Sequence, residues 1–155
     1  MWGGFQYHRP RNVVLLASST DQVSNPGPSG DIVNYTNAAD VLSRGEILEF
    51  QIVCTGLIAG TYSMTIYFND VGFFTFSFIF NGGSVLAYNG TIQRYATSDD
   101  WRYFVGVNNT ANNTWRAATG VSAVDTIPGI NLTLEVTAAA GSVGAVSYSI
   151  LKYSP

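Results

Sequence analysis

Apolar and polar residues alternate along most of this chain with the period of two that a half-buried β-strand requires. The clearest case is Val71–Phe80, where Phe74, Phe76, Phe78 and Phe80 share one face and Thr75, Ser77 and Ile79 the other. The same rhythm places Tyr62, Met64, Ile66 and Phe68 together, and Leu132, Leu134 and Val136 together. Strands are expected at Asn12–Ala17, Ile32–Thr36, Glu46–Thr55, Thr61–Phe68, Val71–Phe80 and Val85–Tyr95. Further strands are expected at Trp101–Val107, Thr114–Ala118, Asn131–Thr137 and Ala145–Tyr153.

The breaks between these runs carry turn chemistry. Asn81-Gly82-Gly83 reads as a hairpin turn, Asn69-Asp70 as a tight connection, and Asn25–Gly30 as a loop. Residues Ala38–Gly45 fit one helical turn or a loop. About eight to ten short strands with turns roughly every 8–12 residues describe a sandwich or barrel. The expectation is an all-β jelly-roll sandwich over residues 12–155, preceded by an irregular arm at 1–11.

Two strands are apolar on both sides: Trp101–Val107, where Phe104 interrupts the polar alternation, and Ala145–Tyr153. A strand of a free sandwich needs only one buried face. A second apolar face implies a subunit contact, most simply in a closed cyclic oligomer. Trp101, Tyr103, Leu151 and Tyr153 are therefore the expected interface residues, together with Trp2, Phe5 and Tyr7 of the arm.

Composition sharpens this reading. Charged residues make up 11% of the 155, against a usual value of about 25%, so much of the surface is expected to face protein partners. The net charge of −3 and a pI near 4.8 argue against a general nucleic-acid binder, which needs a basic footprint. No run reads as a secretion signal or a membrane span. The single cysteine, Cys54, sits in an apolar strand, so no disulfide closes within the chain.

Little of the sequence is equipped for chemistry. His8, the only histidine, lies in the arm, and no nucleophile elbow occurs. Asp99 and Asp100 neighbour each other, but general acid–base work needs carboxylates held at a defined separation, with Glu46 or Glu49 brought near by the fold. Asp21, Asp99, Asp100 and Asp125 are loop oxygens without a calcium-loop spacing. No catalytic residue, metal or cofactor is expected. Trp115 and Arg116, with Asn112 and Asn113 in the preceding turn, form the one candidate ligand patch. A flat ring beside amide and guanidinium donors suits a sugar, whose face is apolar and whose rim is polar.

Four stretches carry a resemblance: Ala17–Ser24, Trp101–Val107, Ala123–Thr126 and Ile130–Thr137. In strand rhythm and turn wording the chain resembles the jelly-roll domains of bacteriophage virion proteins, such as fibre knobs and capsid decorations. The resemblance spans about Val13 to Tyr153 and brings no diagnostic site motif. It implies a closed homo-oligomer, a trimer first, on a virion among other virion proteins. It also implies no catalysis and, in some relatives, recognition of host surface glycans. The alternative expectation is a lectin-like module that binds glycan through loop aromatics. No nucleic-acid partner and no membrane insertion are expected.

Overall fold

A computed structural model describes residues 12–19, 29–55, 60–80, 83, 85–95, 100–110, 114–123, 129–138 and 145–155. Among them there is no helix. The strands are β1 (Asn12–Ser19), β2 (Ser29–Asn37), β3 (Ile47–Thr55), β4 (Gly60–Phe68), β5 (Val71–Phe80), β6 (Leu86–Arg94), β7 (Asp100–Asn109), β8 (Thr114–Ala123), β9 (Ile130–Ala138) and β10 (Ala145–Ser154).

They form two antiparallel sheets, one of six strands in the order β1-β10-β3-β6-β7-β8 and one of four in the order β2-β9-β4-β5. Setting aside the β7–β8 hairpin leaves β1-β10-β3-β6 facing β2-β9-β4-β5. The first three strands alternate between sheets, and β9 and β10 return to pair beside β2 and β1. That winding is the jelly roll, and the extra hairpin widens one of its sheets. Between residues 38 and 46 the chain makes turns: the Asn37 side-chain oxygen accepts from Ala39 N–H at 3.0 Å, and Ser43 N–H donates to Glu46 at 2.7 Å.

Alternation fixes what is inside. Leu48, Phe50, Ile52 and Cys54 of β3 meet Tyr62, Met64, Ile66 and Phe68 of β4, with Leu86, Tyr88 and Ile92 of β6 and Leu132 and Leu134 of β9. Each fully buried large apolar side chain contributes about 1.5–3 kcal/mol. Two glycines make room for rings on their register partners. Phe50 lies across Gly90, and Tyr103 lies across Gly120, so that a Cβ at either glycine would enter the ring's van der Waals envelope.

The β4–β5 hairpin closes on Asn69 and Asp70, with φ of 48° and 63°. Both lie in the left-handed region that Asn and Asp tolerate best after glycine. Asn69 also ties the turn to β9: its amide oxygen accepts from Asn131 N–H at 3.0 Å, and its own N–H donates to the Asn131 carbonyl at 2.8 Å. Just after the turn the register shifts, with Tyr67 opposite Gly72 and Ile66 opposite Phe74. Phe73 is the extra residue. It packs edge-on to Trp101 at 5.7 Å and against Tyr103 at 4.7 Å, across the sandwich.

Candidate functional site

The two outer faces differ in chemistry. On the four-stranded sheet, Thr65 and Thr75 share a hydrogen bond at 3.0 Å, and Ser77 donates to Ser63 at 3.3 Å. These hydroxyl ladders suit water. On the six-stranded sheet, two rows cross all six strands in register. One runs Val13, Tyr153, Ile47, Gln93, Arg102 and Val121. The next runs Leu15, Leu151, Glu49, Thr91, Phe104 and Thr119.

The β1–β10–β3 half of these rows is apolar. Val13 is 53% and Leu15 58% exposed, beside half-buried Leu151, Tyr153 and Ile47. Glu49 is the one charged residue of this half, and its carboxylate lies near the Tyr153 phenol. Burial pushes the Tyr153 phenol above its ordinary pKa, and the neighbouring Glu49 charge adds to the rise. A third row, Ser18, Ser149, Gln51 and Asn89, is neutral and polar.

The β6–β7–β8 half is concave. A cleft of about 450 Å³ opens there, lined by Thr91, Gln93, Tyr95, Arg102, Phe104 and Thr119 among others. Its volume falls within the roughly 300–1,000 Å³ of small-ligand sites. The Arg102 guanidinium sits over the Tyr95 ring, 5.4 Å from its centroid. Its Nε donates to Gln93 Oε1 at 2.9 Å, and Nη2 donates to the same oxygen. Tyr95 N–H donates to the Asp100 carbonyl at 3.0 Å, which fixes the start of the β6–β7 connection. Phe104 is 42% exposed at the cleft's edge.

The residues singled out from the sequence fall into three groups. Leu151 and Tyr153 stand on the outer face of the six-stranded sheet. Trp101 does not: it is 2% exposed and packs edge-on to Phe68 at 5.3 Å, inside the sandwich. Tyr103 shares that inward face and is half-buried, packed against the core. For Trp101 the interface expectation is therefore corrected. The strand's second apolar face belongs to Phe104, and the Trp101 face is the core.

The third group is only partly described. Trp2, Phe5, Tyr7, Asn112 and Asn113 lie outside the described residues, as do His8, Asp21, Asp99 and Asp125. Of Trp115 and Arg116 the structure gives the backbone alone. Trp115 pairs with Asn108 and Arg116 with Val107, successive register positions that a strand assigns to opposite faces. Glu46, considered as a partner for the loop aspartates, is engaged by Ser43 N–H and by the Ser154 hydroxyl at 2.6 Å.

The cleft residues Gln93, Tyr95, Arg102 and Phe104 were missed in the sequence. Their signal is the outward position of Arg102 and Phe104 between the inward Trp101, Tyr103 and Val105.

Compared with models of protein families and with curated proteins, the chain matches none of either. Its class rests on the fold: a jelly-roll β-sandwich with a widened sheet.

Proposed function

We propose that this chain is a non-enzymatic structural subunit of a virus-like particle. It forms a closed homo-oligomer, a trimer first, as a fibre knob, decoration or attachment component among other virion proteins. The observation that carries the reading is the apolar half of the six-stranded outer face, where Val13 and Leu15 stand more than half exposed beside Leu151, Tyr153 and Ile47. A hydrated sheet face would carry hydroxyl ladders like those of the opposite sheet. A chain with 11% charged residues has few other means of keeping such a face from associating. The virion setting rests on the resemblance in strand rhythm and on the jelly roll, a fold that capsid proteins and lectins share. The reading assigns no catalytic residue, metal or cofactor.

Light scattering after size exclusion, at several dilutions, tests it. A persistent mass of about three or five times 16.7 kDa is expected. A clean monomer would remove the assembly reading and leave the lectin-like module as the alternative.

A further inference from the structure

In the β6–β8 cleft Arg102 is a held cation to which no acid is bonded among the described residues. Arginine carries five N–H donors in a planar fork. In Arg102 the side edge, Nε and one hydrogen of Nη2, is taken by the single oxygen of Gln93. The end edge, where Nη1 and Nη2 present parallel N–H bonds, has no partner among the described residues. That edge has the spacing of a carboxylate, which it grips through two bonds. The Tyr95 ring beneath the guanidinium and the Gln93 amide beside it hold the fork in place. Glu49 lies in the neighbouring row on β3, two strands from Arg102 and beside Tyr153 of β10.

The remaining lining is of a different chemistry. Phe104 offers a partly exposed ring at the cleft's edge, and Thr91 and Thr119 offer hydroxyls on either side of it in the same row. A ligand that satisfies all three features has an apolar flat side, a hydroxyl rim and one carboxylate.

We infer that this cleft binds an acidic sugar: a pyranose whose carboxylate meets Arg102 end-on, whose apolar face lies on Phe104 and whose hydroxyls reach Thr91 and Thr119. Uronic acids and sialic acids share that chemistry. The site borders the apolar face at Ile47 and uses none of Val13, Leu15, Leu151 or Tyr153, so its ligand contacts are tested separately from assembly.

Saturation-transfer NMR on the intact protein tests it, with methyl glucuronide and 3′-sialyllactose as acidic probes and methyl glucoside and lactose as neutral counterparts. Transfer to the ring protons of at least one acidic probe is expected, and which one responds identifies the sugar. Arg102→Met should weaken that binding about tenfold or more, the effect of losing hydrogen bonds to a charged group. Arg102→Lys keeps the charge, loses the fork and should fall between. Phe104→Ala should weaken acidic probes as well. Light scattering and thermal unfolding on each Arg102 variant should match the parent, because Arg102 is exposed. Equal transfer to the neutral probes, no transfer to either acidic probe, or undiminished binding by Arg102→Met in a folded protein would each overturn the inference. A failure of the assembly reading would appear instead in the parent protein's mass.

Discussion

The Tyr88 hydroxyl donates to the Met64 sulfur at 2.9 Å, in the middle of the sandwich. Tyr88 is on β6 and Met64 on β4, so the bond joins the two sheets. Both residues are fully buried. A thioether is a weak acceptor, yet a buried hydroxyl left without one bears its full desolvation penalty. Met64→Leu conserves volume and would ordinarily lose less than about 1.5 kcal/mol. Here the orphaned hydroxyl should add about 1–3 kcal/mol. Tyr88→Phe removes donor and need together and should lose about 1 kcal/mol or less. The double variant should be more stable than the sum of the singles predicts, by about 1 kcal/mol. Urea unfolding of the four proteins measures this, and additivity within about 0.3 kcal/mol would refute the coupling.

Phe50 and Gly90 set a second test. They are register partners, and the ring occupies the space of the missing side chain. Gly90→Ala forces a rigid, fully buried ring to move, which should lower stability by about 1–3 kcal/mol. In a Phe50→Leu background the same substitution should lose far less, because the ring it strikes is gone. An equal loss in both backgrounds would place the damage in the backbone instead.

Much of the sandwich is legible in the sequence, and the reason is visible residue by residue. Leu48, Phe50, Ile52 and Cys54 alternate with Ile47, Glu49, Gln51 and Val53, and the structure buries the first set fully. Period two carries that information without any knowledge of partners. Where both sets are apolar, the pattern cannot say which faces in. Trp101 and Phe104 sit on opposite faces of β7, and only the pairing of β7 with β6 decides that Trp101 is core. The bulge at Phe73 is hidden for a similar reason, since an extra residue leaves composition unchanged. The cleft is the least legible feature. Thr91, Gln93, Arg102 and Thr119 come from three strands and meet only through register.

Alkaline pH should destabilise the fold through its buried acids. Burial pushes the Cys54 thiol from 9.0 up to about 12. Burial, with the neighbouring Cys54, pushes the Tyr88 phenol well above 10.0. Both groups are neutral when protonated, so the folded state holds the proton more tightly than the unfolded chain does. Their contribution is complete below pH 9 and is lost as pH rises from there through the folded values, towards 12 and beyond. Each such group adds a slope of about 1.4 kcal/mol per pH unit within its own window. Denaturant midpoints from pH 8 to 11 should fall accordingly, and Cys54→Ala should flatten the curve where the thiol titrates. A midpoint independent of pH would exclude this linkage. Native Cys54 should also resist a thiol reagent at pH 8 and react at the rate of unfolding.

The assembly face yields the last prediction. Leu15 on β1 and Ile79 on β5 are both large, apolar and more than half exposed, at 58% and 63%. They lie on different sheets, so an aspartate at each asks which face associates. If Leu15 is buried by a partner, Leu15→Asp removes about 1.5–3 kcal/mol of apolar burial from each contact. It also leaves an unpaired charge in a dry interface, a further penalty. The oligomer should then dissociate to chains of 16.7 kDa. Circular dichroism should keep its strand signal, because the exposed Leu15 side chain adds little to the monomer's own core. Ile79→Asp should leave the mass unchanged. The reverse result, dissociation by Ile79→Asp and none by Leu15→Asp, would move the interface to the four-stranded sheet. There the hydroxyl ladders of Thr65, Thr75, Ser63 and Ser77 would have to be desolvated, a penalty that the apolar end of the other sheet avoids.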